Sequence, residues 1–74
     1  MSRYHINVFY SEEDGCFIAD VPDLGGCSAF SPTPEKALAE ALAAQRLWLE
    51  VAREDGTEIP EPCYRPIAYR AVMA

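Results

Sequence analysis

The chain reads as an α+β domain of β-β-β-α-β order: an antiparallel sheet of three to four strands with one long helix packed on one face. Three observations predict it. Period-two alternation in β-favouring residues runs over Tyr4–Tyr10 and again over Cys16–Val21, separated by turn-forming stretches. Helical spacing then runs without interruption from Pro34 to about Asp55. The connections between the first strands are also too short for a crossover helix, so successive strands pair antiparallel.

Each element has a local cause. Tyr4, Ile6, Val8 and Tyr10 alternate with His5, Asn7 and Phe9 in β-favouring residue types, which predicts the first strand. Ser11-Glu12-Glu13-Asp14-Gly15 is a charged connection whose glycine can take positive φ. A second alternation follows, with Phe17, Ala19 and Val21 on one face and Cys16, Ile18 and Asp20 on the other, completing a hairpin. Pro22 has no N–H to give a ladder, so this strand ends in the turn-rich Val21–Gly26 stretch. A short third strand is expected over Cys27–Phe30. Thr33 then caps a helix, Pro34 fits its first position, and Glu35 suits the positive end of its dipole. Gly56 is a suitable residue just beyond its end. The expected core stripe is Leu38, Ala41, Leu42, Gln45, Trp48, Leu49 and Ala52, with Lys36, Glu40, Arg46, Glu50, Arg53 and Glu54 outward. Thr57–Pro62 is an extended exit, because each proline disfavours helix in the residue before it. Residues 64–74 have the composition of a fourth strand.

Size and charge limit the function classes. Seventy-four residues make one domain, spanning 1–74 with a core at about 4–62 and a C-terminal strand or tail at 63–74. No apolar run approaches the ~20 residues that span a bilayer, and the first residues lack a secretory h-region, so a cytoplasmic protein is expected. The net charge is −6 and the pI about 4.5, which argues against direct nucleic-acid binding. The charge is also unevenly placed. The first 63 residues hold all 12 acids and four bases, or −8, whereas the last eleven hold Arg65 and Arg70 and no acid. A basic protein partner suits such a body. A single core of this size supplies only about 3–5 kcal/mol, so self-association is expected to bury more surface.

Catalytic and cofactor signals are missing. Cys16, Cys27 and Cys63 are odd in number and widely spaced, which predicts reduced thiols acting as small core residues rather than disulfides or a zinc site. His5 is the single histidine, and Gly25-Gly26 lies between two strands, away from any helix N-terminus that would hold phosphate. No cofactor, no metal and no enzymatic activity are therefore expected. Glu12, Glu13, Asp14, Asp20 and Asp23 are the candidate partner-binding residues, as a salt-bridging surface for a basic protein. The candidate oligomer interface is the sheet face left free by the helix, set by Tyr4, Ile6, Val8 and Tyr10 or by the alternate residues.

The order of motifs resembles the HicB-like antitoxin family over about residues 4–62. It is carried by Tyr4-His5-Ile6-Asn7-Val8-Phe9-Tyr10, the Glu12-Glu13-Asp14-Gly15-Cys16-Phe17-Ile18-Ala19 hairpin segment and the Val21-Pro22-Asp23-Leu24-Gly25-Gly26-Cys27 loop. The Thr33-Pro34-Glu35-Lys36-Ala37-Leu38 helix opening, Leu47-Trp48-Leu49 and the Gly56–Pro62 exit complete it. Ser31-Pro32 stands where the family commonly has Gly-Asp, and Gly25 where proline is usual. The resemblance implies a β-β-β-α-β fold that is a partial, catalytically inactive relative of ribonuclease H. It also implies a protein that assembles as a dimer or tetramer and masks a small basic HicA-type mRNA-cleaving toxin. Longer members add a C-terminal DNA-binding segment; the dozen residues after Pro62 are too few for one, so no direct DNA contact is expected. The alternative function is a stand-alone structural or small-ligand-binding module without a toxin partner.

Overall fold

A computed structural model describes residues 4–64. Strands β1 (Asn7–Ser11), β2 (Cys16–Asp20) and β3 (Ser28–Ser31) precede one helix, α1 (Pro34–Asp55). The strands form a single antiparallel sheet in the order β1-β2-β3, as the short connections require. The fourth strand expected over residues 64–74 lies outside the described residues, apart from Tyr64.

The hairpin is closed by local hydrogen bonds. Gly15, at φ 66°, donates its N–H to the Ser11 carbonyl at 2.8 Å, and the Ser11 hydroxyl donates to Asp14 Oδ2 at 2.8 Å. The β1–β2 register runs from Asn7 opposite Asp20 to Ser11 opposite Cys16, so β1 starts three residues later than Tyr4. The reason lies in the loop after β2. The Val21 N–H turns to the Cys27 carbonyl (3.0 Å), Leu24 N–H to Val21 carbonyl (3.1 Å) and Cys27 N–H to Leu24 carbonyl (3.1 Å). Pro22 offers no N–H. The ladder therefore stops, and Cys27, expected to open the third strand, belongs to this self-bonded loop instead.

Helix α1 has the sequence-expected ends. Thr33 Oγ1 accepts the Lys36 N–H at 3.3 Å, and Gly56 sits at φ 73°. Thr57 N–H reaches the Ala52 carbonyl at 2.8 Å and Gly56 N–H the Arg53 carbonyl at 3.4 Å, the paired bonds of a Schellman terminus.

The helix crosses chiefly β2 and β3. Its first half approaches the sheet through alanines: Ala19, Ala37 and Ala41 are fully buried together, with Ile6, Phe17 and Ala29 around them. Its second half covers Val21, Leu24, Cys27 and Tyr4, with Trp48 and Leu49 packed alongside. Burial of Leu24 alone stabilises by about 1.5–3 kcal/mol. The contact stripe is thus Ala37, Ala41, Ala44, Gln45, Trp48 and Ala52, with Leu49 at its edge. Leu38 and Leu42, expected within it, are exposed. A three-stranded sheet is about 10 Å from first to last strand, too narrow to cover so wide an apolar stripe.

The exit segment is tied back onto the start of the chain. The Tyr4 hydroxyl donates to the Pro60 carbonyl at 2.6 Å. Asp23 Oδ2 accepts the N–H groups of Cys63 (3.2 Å) and Tyr64 (3.3 Å).

Candidate functional site

Strand register sorts the sheet into two faces, since residues directly opposite one another share a face and side chains alternate along each strand. Val8, Ala19 and Ala29 form one cross-strand row, and Tyr10, Phe17 and Ser31 the next. This is the helix side. The other face, which α1 leaves uncovered, carries Phe9, Ile18 and Phe30 in one row across all three strands. Phe9 is 48% and Phe30 69% exposed. An apolar row of this kind on an open sheet face is the form a protein-docking surface takes.

The acidic candidates frame that row. Glu12, Glu13 and Asp14 are exposed in the β1–β2 turn at one end. Asp20 lies on the same face as Ile18, opposite Asn7 and Ser28, at the other end. No Lys or Arg belongs to the strands of this face. Asp23 is set apart, in the loop after β2, where it accepts the backbone of Cys63 and Tyr64 and the Cys63 thiol (3.2 Å to Oδ1). Its first task is to hold the exit segment. His5 donates from Nε2 to Asn7 Oδ1 at 2.7 Å, with its ring 4.8 Å from that of Tyr64, so a packing contact occupies it.

The four interface candidates on β1 do not share one role. Tyr4 is buried and Ile6 packs against the core, so neither belongs to the open sheet face. Val8 and Tyr10 are on the helix side yet remain exposed, because α1 lies over β2 and β3 rather than over β1. The free face is therefore the one set by the alternate residues of β1, to which Phe9 belongs, whereas Phe30 is not marked by alternation alone. Both strands carrying them are apolar on both faces, and only the register reveals that they share a row with Ile18.

The thiols also divide. Cys27 is buried, Cys16 half-buried and Cys63 exposed, so the core role expected of all three holds fully for one. Burial pushes the Cys27 thiol above its ordinary range, and the Asp20 carboxylate adds to the effect. A thiol held protonated is a poor nucleophile. Among the described residues no group of three or more His, Cys, Asp and Glu is placed to hold a metal ion, and no helix is long and apolar enough to cross a membrane. Two concavities flank α1. One of about 380 Å³ lies beside Cys27, Trp48 and Val51, and one of about 650 Å³ lies between Tyr4, Leu42, Leu49, Arg53 and Ile59.

These features define a small acidic α+β domain with one apolar sheet face left uncovered among the described residues. No family model matches the chain, and no solved structure does. The UPF0150 protein ssl0259 of Synechocystis sp. (strain ATCC 27184 / PCC 6803 / Kazusa) is 38% identical over 53 residues, covering 72% of this chain and 73% of that protein. The chain belongs to the UPF0150 family.

Proposed function

We propose that this protein is a non-catalytic, HicB-like antitoxin-type binder of the cytoplasm that self-associates and masks a small basic HicA-type toxin. The observation that carries the reading is the Phe9–Ile18–Phe30 row on the open sheet face, flanked by Glu12, Glu13, Asp14 and Asp20 and without a basic residue on its strands. An apolar centre with an acidic border fits a partner whose RNA-binding surface is basic, since opposite potentials steer encounter and exclude like-charged competitors. The mechanism is occlusion. The aromatic row supplies contact area, while the carboxylates neutralise the lysines and arginines with which the partner would hold RNA phosphates. The motif order from Tyr4 to Pro62 supports the HicB-like assignment. The partial ribonuclease-H-like relationship comes with that assignment.

Co-expression of this chain with the small basic product of a neighbouring reading frame tests the reading. A co-purifying complex whose RNA cleavage is suppressed is the expected result. Free, active basic protein beside an intact, folded copy of this chain would overturn it.

A further inference from the structure

We infer that a second copy of this chain docks along the β1 side of α1, the two helices lying antiparallel about a two-fold axis. The inference rests on the self-association part of the proposed function and is independent of the basic partner's identity.

Glu35, Leu38, Leu42, Arg46, Leu49 and Arg53 recur at spacings of three and four, so they form one stripe along the helix. This stripe lies beside the buried one, facing the ground above β1 that the helix does not cover. Leu38 and Leu42 are exposed on it, and Val8 and Tyr10 are exposed on the adjacent strand. Towards the C-terminal end, the same flank forms one wall of the concavity closed by Tyr4 and Ile59. The result is a trough with an apolar floor and a wall on which leucines alternate with Glu35, Arg46 and Arg53, beside a 22-residue helix about 33 Å long.

Charge selects the occupant. Residues 4–64 contain all twelve acids but only Lys36, Arg46 and Arg53 as bases, so two copies repel over most of their surface. The trough is the exception, because its stripe begins on Glu35 and ends on Arg53. These two stand 18 positions apart, about 27 Å along the axis, and cannot reach each other within one helix. In a copy running antiparallel with nearly complete overlap, Glu35 meets the partner's Arg53 at both ends. Between them Leu38 falls beside the partner's Leu49, and Leu42 beside the partner's Arg46, whose aliphatic stem can cover it while its charged head reaches solvent. The paired helix dipoles also oppose favourably. The open sheet face lacks this property: in either orientation a copy placed there would set Asp20 or the Glu12–Asp14 turn against carboxylates of the partner, with no base on the strands of either. A neutral or basic foreign helix would satisfy the leucines but only one end of the charged stripe.

The test is sedimentation velocity on the complete chain, with charge reversals read as a cycle. The wild type is expected to be dimeric at micromolar concentration. Glu35→Lys and Arg53→Glu should each weaken dimerisation about tenfold, since each alters two symmetry-related pairs. The double variant should recover to within about threefold of the wild type. Leu42→Glu should be monomeric with an unchanged circular dichroism spectrum. A monomeric wild type at ~100 μM overturns both self-association and this interface. A dimer indifferent to all four variants overturns this interface alone and leaves self-association to another surface. Failure of the charge swap to rescue overturns the antiparallel register.

Discussion

Cys27 shows how one residue's surroundings become a pH dependence. Its thiol is buried at the end of the Val21–Cys27 loop, and burial first, then the Asp20 carboxylate, raise its pKa above the ordinary value of 9.0. The native state therefore keeps a proton that the unfolded chain releases. Stability linked to this group is complete below the unfolded pKa and is lost as pH rises from about 9 through the higher native value. Urea unfolding at pH 8 and pH 10 should show a steeper loss for the wild type than for Cys27→Ala. An identical loss in both would place the alkaline effect elsewhere. Alkylation should modify exposed Cys63 first and Cys27 only on unfolding. Residue type alone made Cys27 legible as a core residue, because small apolar groups go inside. The exposure of Cys63 was not legible, since it depends on the path by which the exit segment reaches Asp23, 40 positions away in sequence.

At the scale of elements, legibility tracks how local the cause is. Both ends of α1 could be read to the residue because Thr33, Pro34 and Gly56 act on backbone groups within one turn. The start of β1 could not, because Tyr4 and Ile6 keep the strand's alternation while their would-be partners are drawn into the Val21–Cys27 loop. The apolar stripe of the helix is wider than its contact with the sheet, whose width leaves Leu38 and Leu42 exposed. The two kinds of glycine allow a direct check. Gly56 sits at φ 73°, and a β-carbon there would meet nothing within 4 Å. Gly56→Ala should therefore cost about 1 kcal/mol from the left-handed backbone alone. Gly25 also faces open space but without a positive φ, so Gly25→Ala should be neutral or stabilise by up to about 1 kcal/mol. Its carbonyl, which accepts the Trp48 indole N–H at 3.3 Å, is unaffected by the change. Chemical denaturation of both variants checks the pair; equal effects would mean that side-chain contacts, not backbone conformation, govern these turns.

The molecule as a whole presents two apolar surfaces on opposite sides of the sheet, and their charges differ. Phe9, Ile18 and Phe30 lie among carboxylates, whereas Leu38, Leu42 and Leu49 lie on a stripe carrying both signs. The acidic set of residues was legible in the sequence, but its relation to an aromatic row was not, since Phe9 and Phe30 are brought together only through β2. If the surfaces serve a basic partner and a second copy respectively, they should separate by mutation. Phe30 is 69% exposed, and replacing such a residue by serine changes monomer stability by only about 0.5 kcal/mol. Phe9→Ser with Phe30→Ser should weaken capture of the basic partner by more than about tenfold while the sedimentation coefficient of the free protein stays that of the dimer. Asp20→Lys should act in the same direction, and its effect should shrink as salt is added, because the contribution is screened. Leu42→Glu should do the reverse, giving a monomer that still captures the partner. Should the phenylalanine variants dissociate the dimer instead, the open face is the homotypic interface, and the assignment of partners by charge is inverted.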